Sequence, residues 1–127
     1  NIVMLAILSN SIENAARLSE NLQYYWNSHG VYASVSLFED DEEFINAFRL
    51  HQYKSVILQT TKNTLELIVK IRDIKSDCKI GILIDTCDRA KETEIACTYR
   101  NYGVEMVLTR LDLERPLELI SKQLSIV

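Results

Sequence analysis

Polar side chains follow the short apolar runs of the sequence, and their types suit binding. Hydroxyl and amide groups with one guanidinium would form a neutral to positive rim that holds an anion or a small polar ligand. The rim residues are Ser9, Asn10, Ser11, Gln59, Thr60, Thr61, Thr86 and Arg110. The first three also suit the start of a helix, where serine and asparagine cap free backbone N–H groups.

Two other residue sets could support chemistry, and we assign neither a catalytic role. The acids from Glu39 to Glu43 are consecutive, so they cannot all converge on one metal ion, and they suit the first turn of a helix. His29 and His51 fall at predicted helix ends away from the rim and have no nucleophile nearby, which argues against a catalytic triad. We expect no metal site and no enzymatic activity.

Motifs for phosphate and metal binding are absent from the sequence. It contains no G-x-G-x-x-G and no P-loop pattern. The first glycine is Gly30, so no glycine loop follows the first apolar run, where a flavin phosphate would need close backbone approach. Cys78, Cys87 and Cys97 are odd in number and lack C-x-x-C spacing, which argues against disulfides or zinc. We expect no cofactor; a thiol sensor acting through Cys87 or Cys97 is an alternative.

Composition predicts one globular domain in the cytoplasm. The 127 residues are 47% hydrophobic and include only three glycines and one proline, which excludes collagen-like and disordered classes. No apolar stretch is long enough to span a membrane. The formal net charge of −4 has the wrong sign for gripping nucleic acid, so DNA contact would need a separate domain.

Five apolar runs predict the strands of a sheet. They are Ile2 to Leu8, Tyr32 to Phe38, Ser55 to Leu58, Ile80 to Ile84, and Met106 to Leu108. Continuous apolar runs are typical of parallel strands covered on both faces, so we expect all but the second to be central. The second alternates small polar and apolar residues and is predicted to be an edge strand.

Segments of helical period separate these runs. The first would bury one face made of Ile12, Ala15, Ala16, Ser19, Leu22 and Trp26. Strands alternating with helices predict βαβ crossovers, hence an α/β fold of (βα)5 type with a doubly wound, five-stranded parallel sheet. We expect the flavodoxin-like strand order 2-1-3-4-5, in which the carboxyl ends of the strands carry the chemistry.

Two stretches of the sequence also carry a family resemblance. Phe38 to Phe44, leading through Tyr53 to Val56-Ile57-Leu58, looks like a second helix and third strand, and Gly103 to Arg110 is similar to a G-A-x-D-Y-L-x-K segment. Both resemble the response-regulator receiver domain, most closely the kind found in LytTR-type regulators. The resemblance covers essentially all of the chain and implies a receiver-like fold with a role in two-component signalling.

The resemblance also implies which positions would perform phosphorylation, and these hold other residue types. The paired acids that bind magnesium in the family align with Ser9 and Asn10, and the phosphorylated aspartate aligns with Gln59. An amide cannot accept a phosphoryl group in that mechanism, and neutral ligands hold a hard cation poorly. We therefore expect a pseudo-receiver that lacks the phosphoacceptor.

Three further family positions follow from the same resemblance. The family lysine aligns with Arg110, which keeps the positive charge, and the aromatic switch residue of the fifth strand aligns with Val107. The family threonine after the fourth strand is either Thr86 or is displaced by Asp85. The aromatic rotamer switch is thus absent from the predicted site.

Receiver domains commonly dimerise or meet partners through the fourth helix, fifth strand and fifth helix, and the resemblance implies such a surface here. It would carry Arg89, Lys91, Glu94, Arg100, Tyr102, Asp112, Arg115 and Lys122. Charges of both signs could form intermolecular salt bridges in a two-fold dimer. A solvated charged face is the alternative.

We expect a phosphorylation-independent receiver domain that acts in signal transduction or transcription regulation through protein contacts or dimerisation. Residues 1–127 would form one receiver-like domain, and the resemblance implies a DNA-binding effector after Val127 in a longer regulator. The alternative is a small flavodoxin-like domain that binds a ligand or an anion at the rim.

Overall fold

Strands and helices alternate along the computed structural model of the chain, which describes residues 2–84, 86, 88–109 and 117–124. The elements are β1 (Ile2–Leu8), α1 (Ile12–Ser28), β2 (Tyr32–Phe38), α2 (Asp41–His51), β3 (Ser55–Gln59), α3 (Thr64–Ile74), β4 (Lys79–Leu83), α4 (Arg89–Asn101), β5 (Met106–Leu108) and α5 (Leu117–Gln123). Three strands have the predicted bounds, β3 is one residue longer, and β4 begins and ends one residue earlier. No helix within these ranges is long and apolar enough to cross a bilayer.

The strands form one parallel sheet in the order β2-β1-β3-β4-β5, which confirms the predicted doubly wound, flavodoxin-like fold. The expectation that β5 is central is wrong, because β5 lies at an edge. The residues of β5 are apolar because both faces of the strand pack against a core, although only one edge of the strand pairs with another of the described strands. Met106 and Leu108 pack into one core cluster, whereas Val107 packs against the other.

Helices cover both faces of the sheet and enclose two cores. On one face, α2, α3 and α4 contribute buried side chains such as Phe44, Ile68 and Tyr99. On the other face, α1 and α5 contribute Trp26 and Ile120, among others. Most described residues of β1, β3 and β4 are buried between these layers, whereas β2 is partly exposed. The three buried strands can change register only by moving apolar side chains out of a core.

Local signals at the helix starts have mixed outcomes. The acid-rich first turn predicted for α2 is present, and Asp40 precedes it as the N-cap residue. Its carboxylate accepts a hydrogen bond from the Glu43 N–H at 2.9 Å. The prediction of the buried face of α1 is partly wrong. Ile12 is 38% exposed, whereas Leu18, which is not among the predicted residues, is buried. Ile12 is the first residue of α1, at the end of the helix that follows the last residue of β1.

A buried hydrogen bond joins α1 to α5. The indole Nε1–H of Trp26 donates to the Ser121 hydroxyl at 2.6 Å, and both side chains are buried. Ser121 in turn donates to the Leu117 carbonyl at 2.8 Å, so the hydroxyl serves as donor and acceptor. Docking of α5 therefore depends on a polar contact inside an apolar core, where an unmatched indole N–H would be costly.

We predict that Ser121→Ala lowers the free energy of unfolding by about 1–3 kcal/mol in the wild-type background, because it leaves the Trp26 indole N–H buried without an acceptor. In the Trp26→Phe background the same substitution should cost less than about 0.5 kcal/mol. Urea unfolding of the four proteins measures this coupling. Ser28→Ala, at an exposed position, is the control, and equal costs in both backgrounds would refute the role of this bond.

Candidate functional site

The carboxyl ends of β1 and β3 place two polar residues side by side. Leu8 pairs in register with Leu58, so the next residues along each strand, Ser9 and Gln59, are neighbours. The Ser9 hydroxyl donates a hydrogen bond to Oε1 of Gln59. Both residues are buried, with 2% and 5% of their surfaces exposed, so the centre of this edge is a neutral, internally bonded pair.

Ser9 also organises the turn that leads into α1. Its backbone N–H donates to the Phe38 carbonyl at 2.9 Å, and its hydroxyl oxygen accepts from the Ser11 N–H at 3.0 Å. Ser11 occupies the N-cap position, yet its side chain makes no capping bond. The predicted helix start is thus present, but Ser9 rather than Ser11 provides the side-chain hydrogen bond. Asn10 between them is exposed.

The loop after β3 is closed by its own hydrogen bonds. The Thr60 N–H donates to the Leu83 carbonyl at 3.0 Å, which continues the pairing of β3 with β4. The Thr61 N–H donates to Oγ1 of Thr64 at 2.8 Å, and the Asn63 N–H donates to Oγ1 of Thr61 at 3.2 Å. This bonding holds Thr60 directly beside the Ser9–Gln59 pair and turns the chain into α3.

Thr86 makes its hydrogen bond at the start of α4 and not with Ser9 or Gln59. Its Oγ1 accepts from the Asp88 N–H at 3.2 Å, and the Asp88 carboxylate accepts from the Ala90 and Lys91 N–H groups. Val107, the predicted switch position, is half-buried in β5. Two other predicted site residues, Asp85 and Arg110, lie outside the described residues, as does Cys87.

A groove of about 450 Å³ lies between the loop after β3 and α4. Its lining residues are Thr60, Thr61, Lys91, Glu94, Ile95, Thr98 and Tyr99. The sequence predicted the two threonines as rim residues but gave no sign of the other wall. Only the crossing of α4 over the end of β3 brings its side chains to this edge.

The predicted contact surface is exposed wherever the structure describes it. Four of its residues project from α4, Tyr102 follows that helix with half of its surface exposed, and one residue lies on α5. The described members are Arg89, Lys91, Glu94, Arg100, Tyr102 and Lys122. Asp112 and Arg115 lie outside the described residues. Lys91 and Glu94 therefore belong both to this surface and to the groove.

The cysteines lie in different environments. Cys78 is buried in the core, and desolvation raises the pKa of its thiol to about 12, so it stays protonated and unreactive. Cys97 is exposed on α4. Within the described part of the chain, no three His, Cys, Asp or Glu side chains lie close enough together to hold a metal ion.

Solved structures with the same fold are response-regulator receiver domains. The BeF3-activated DrrB receiver domain superposes with a TM-score of 0.73 at 16% identity, covering 98% of this chain and 96% of that one. A response regulator from Thermotoga maritima has a TM-score of 0.70 at 17% identity, with 98% and 99% coverage. One from Burkholderia pseudomallei, solved with a phosphorylated aspartic acid, a calcium ion and citrate, has a TM-score of 0.70 at 16% identity, and the match covers 96% of this chain and 66% of that one.

These identities establish a shared receiver (CheY-like) fold and nothing finer. No model of a known protein family matches the sequence, and no curated protein sequence matches it.

We predict that Ser9→Ala lowers the free energy of unfolding by about 2 kcal/mol, because the Gln59 oxygen loses a donor and the Ser11 N–H loses its acceptor. Ser11→Ala is the matched control and should change stability by less than about 0.5 kcal/mol, since no side-chain bond is removed. Urea unfolding distinguishes the two variants. A larger loss for Ser11→Ala would show that the helix is capped in the usual way and that Ser9 is not the organising residue.

Proposed function

We propose that this chain is a receiver-fold signalling domain that works without phosphorylation, through contacts made by α4, β5 and α5. The buried Ser9–Gln59 hydrogen bond is the observation that carries the proposal. It lies where the central strands β1 and β3 end, the position at which the resemblance places the phosphoacceptor. The bond joins two neutral groups, and neither of these two described residues is a nucleophilic carboxylate.

The donor set at this point does not fit the magnesium ion that receiver phosphorylation requires. Phosphoryl transfer to an aspartate needs the carboxylate itself and a cation that neutralises the transferred group. Among the described residues that directly follow β1 and end β3, the oxygen donors are a hydroxyl and amides, whereas Mg²⁺ favours carboxylates. Two acids, Glu39 and Asp40, follow β2. The Asp40 carboxylate caps α2 by accepting a hydrogen bond from the Glu43 N–H.

The exposure of the α4 side chains supports the proposed contact surface. Of the residues in α4, Ala96 and Tyr99 are the buried ones, while Arg89 and Arg100 are exposed. Exposed charges of both signs favour a specific register between two copies, and a half-exposed tyrosine such as Tyr102 supplies a rigid apolar contact.

An ion pair holds the turn that presents Tyr102. The Arg72 guanidinium on α3 donates to the Glu105 carboxylate at 2.8 Å and to the Gly103 carbonyl at 3.1 Å. Gly103 has a φ of +74°, a left-handed conformation that glycine adopts without strain. The turn is therefore fixed against α3 before any partner binds, which lowers the entropy lost on association.

The wider role follows from the fold resemblance. The domain would act in the cytoplasm as a non-enzymatic element of a two-component or transcription regulator, with any DNA contact made by a separate effector domain. Its partner would be a second copy or another regulatory protein. The groove beside Gln59 favours a second candidate, a ligand-binding role for the same edge of the sheet.

We predict that incubation with acetyl phosphate and Mg²⁺ adds no phosphoryl group to the protein, because the buried edge offers an amide where a carboxylate nucleophile is needed. Intact-mass spectrometry measures the result, and a receiver domain with a phosphorylatable aspartate serves as the positive control. Stoichiometric phosphorylation of any aspartate in this chain would overturn the proposal.

We predict that the protein dimerises with a measurable concentration dependence and that Tyr102→Ala raises the dissociation constant by about tenfold, since it removes the apolar centre of the interface. Arg100→Glu should also weaken the dimer, whereas Lys70→Glu, the same change of charge on α3, should not. Size-exclusion chromatography with light scattering measures the masses. A monomer at every concentration, or equal weakening by Lys70→Glu, would contradict the dimer surface.

A further inference from the structure

The groove between the loop after β3 and α4 has the dimensions of a small-molecule site. Its volume of about 450 Å³ falls in the range of about 300–1,000 Å³ in which proteins bind small ligands. Ile95, half-buried, and Tyr99, almost fully buried, supply apolar surface. Thr60 and Thr61 form the facing wall, so an occupant would touch two elements that follow different strands.

One positive and one negative side chain line the groove on its α4 side. Lys91 and Glu94 are three residues apart on α4, so their side chains leave the helix on neighbouring positions of one face. Both are exposed, and neither forms an ion pair with any described residue. The facing threonines offer hydroxyls. One wall therefore presents a positive and a negative charge side by side next to apolar surface.

We propose that this groove binds a small zwitterion with an apolar body, of which a free amino acid with an aliphatic side chain is the simplest example. Its carboxylate would meet the Lys91 ammonium and the threonine hydroxyls, and its ammonium would meet the Glu94 carboxylate. Its side chain would lie on Ile95 and Tyr99. A ligand with only one charge would leave the opposite charge of α4 without a partner, so both charges contribute to selectivity.

Binding at this place also offers a means of regulation. The helix α4 buries Ala96 and Tyr99 but exposes most of its other side chains, so it has few apolar contacts that hold it in position. A ligand that bridges the loop at Thr60 and α4 would restrain the helix that carries Arg100 and leads into Tyr102. This regulatory role rests on the proposed function, whereas the binding site itself does not.

The test is a titration of the full 127-residue chain, labelled with ¹⁵N, with L-leucine at millimolar concentrations. We expect saturable shifts of the backbone amide signals of Thr60, Thr61, Ile95 and Thr98. The analogues 4-methylpentanoate, which lacks the ammonium, and isopentylamine, which lacks the carboxylate, should each bind about tenfold more weakly, the loss expected for one charge-assisted hydrogen bond.

Matched variants identify the contacts. Lys91→Ala and Glu94→Ala should each weaken leucine binding by about tenfold. Lys70→Ala on α3 and Glu92→Ala on α4 remove the same charges at positions that do not line the groove, and should leave leucine binding unchanged. All four positions are partly or fully exposed, so the variants should fold.

Three outcomes would overturn the site: no saturable shift with L-leucine, equally tight binding of 4-methylpentanoate, or equal losses in the groove variants and their controls. The dimer mass and the response to acetyl phosphate are measured separately. Failure of leucine binding with an unphosphorylated dimer would refute the groove alone. Phosphorylation of an aspartate would refute the proposed function even if leucine binds.

Discussion

Burial of β1, β3 and β4 between two layers of helices is the constraint on which the other features of this structure depend. Most described residues of these strands are buried, so each strand can pair only in the register that keeps its side chains inside both cores. That register brings the strand ends to one level. Ser9 after β1 and Gln59 at the end of β3 therefore meet at one edge of the sheet, although fifty residues separate them along the chain.

The centre of that edge is occupied by a satisfied polar pair. Burial of a hydroxyl or an amide is costly unless each finds a partner, and Ser9 and Gln59 meet this requirement with each other. The same hydroxyl accepts the Ser11 N–H and so ties the edge to the start of α1. The pair lies where the resemblance places the phosphoacceptor of a receiver, and here it has a structural task, which supports the proposed regulation by contacts instead of phosphoryl transfer.

The helix α4 stands apart from the other helices because it is so polar. Its two buried residues, Ala96 and Tyr99, attach it to the sheet, and the rest of its surface is divided between the groove and the outward face. A helix of this kind gains little from burial. This property suits the proposed binding of a ligand on one side of α4 and of a partner on the other.

The sequence by itself determined the five strands and the parallel sheet, because continuous apolar runs separated by helical periods permit few other arrangements. The strand order agrees with the flavodoxin-like expectation, which the apolar runs alone do not fix. The sequence also determined the identity of the residues at the sheet edge, including Gln59 at the end of β3. Two predictions are wrong because the pattern of residues along a chain does not show which segments become neighbours in space. The apolar run of β5 arises because both faces of the strand are covered, although β5 is an edge strand. Ile12 fits the period of the buried face of α1 but is 38% exposed. Only the tertiary structure decided that Ser9 bonds to Gln59 and that Lys91 faces Thr60. Both depend on the pairing of distant segments, which is set by the packing of the complete core.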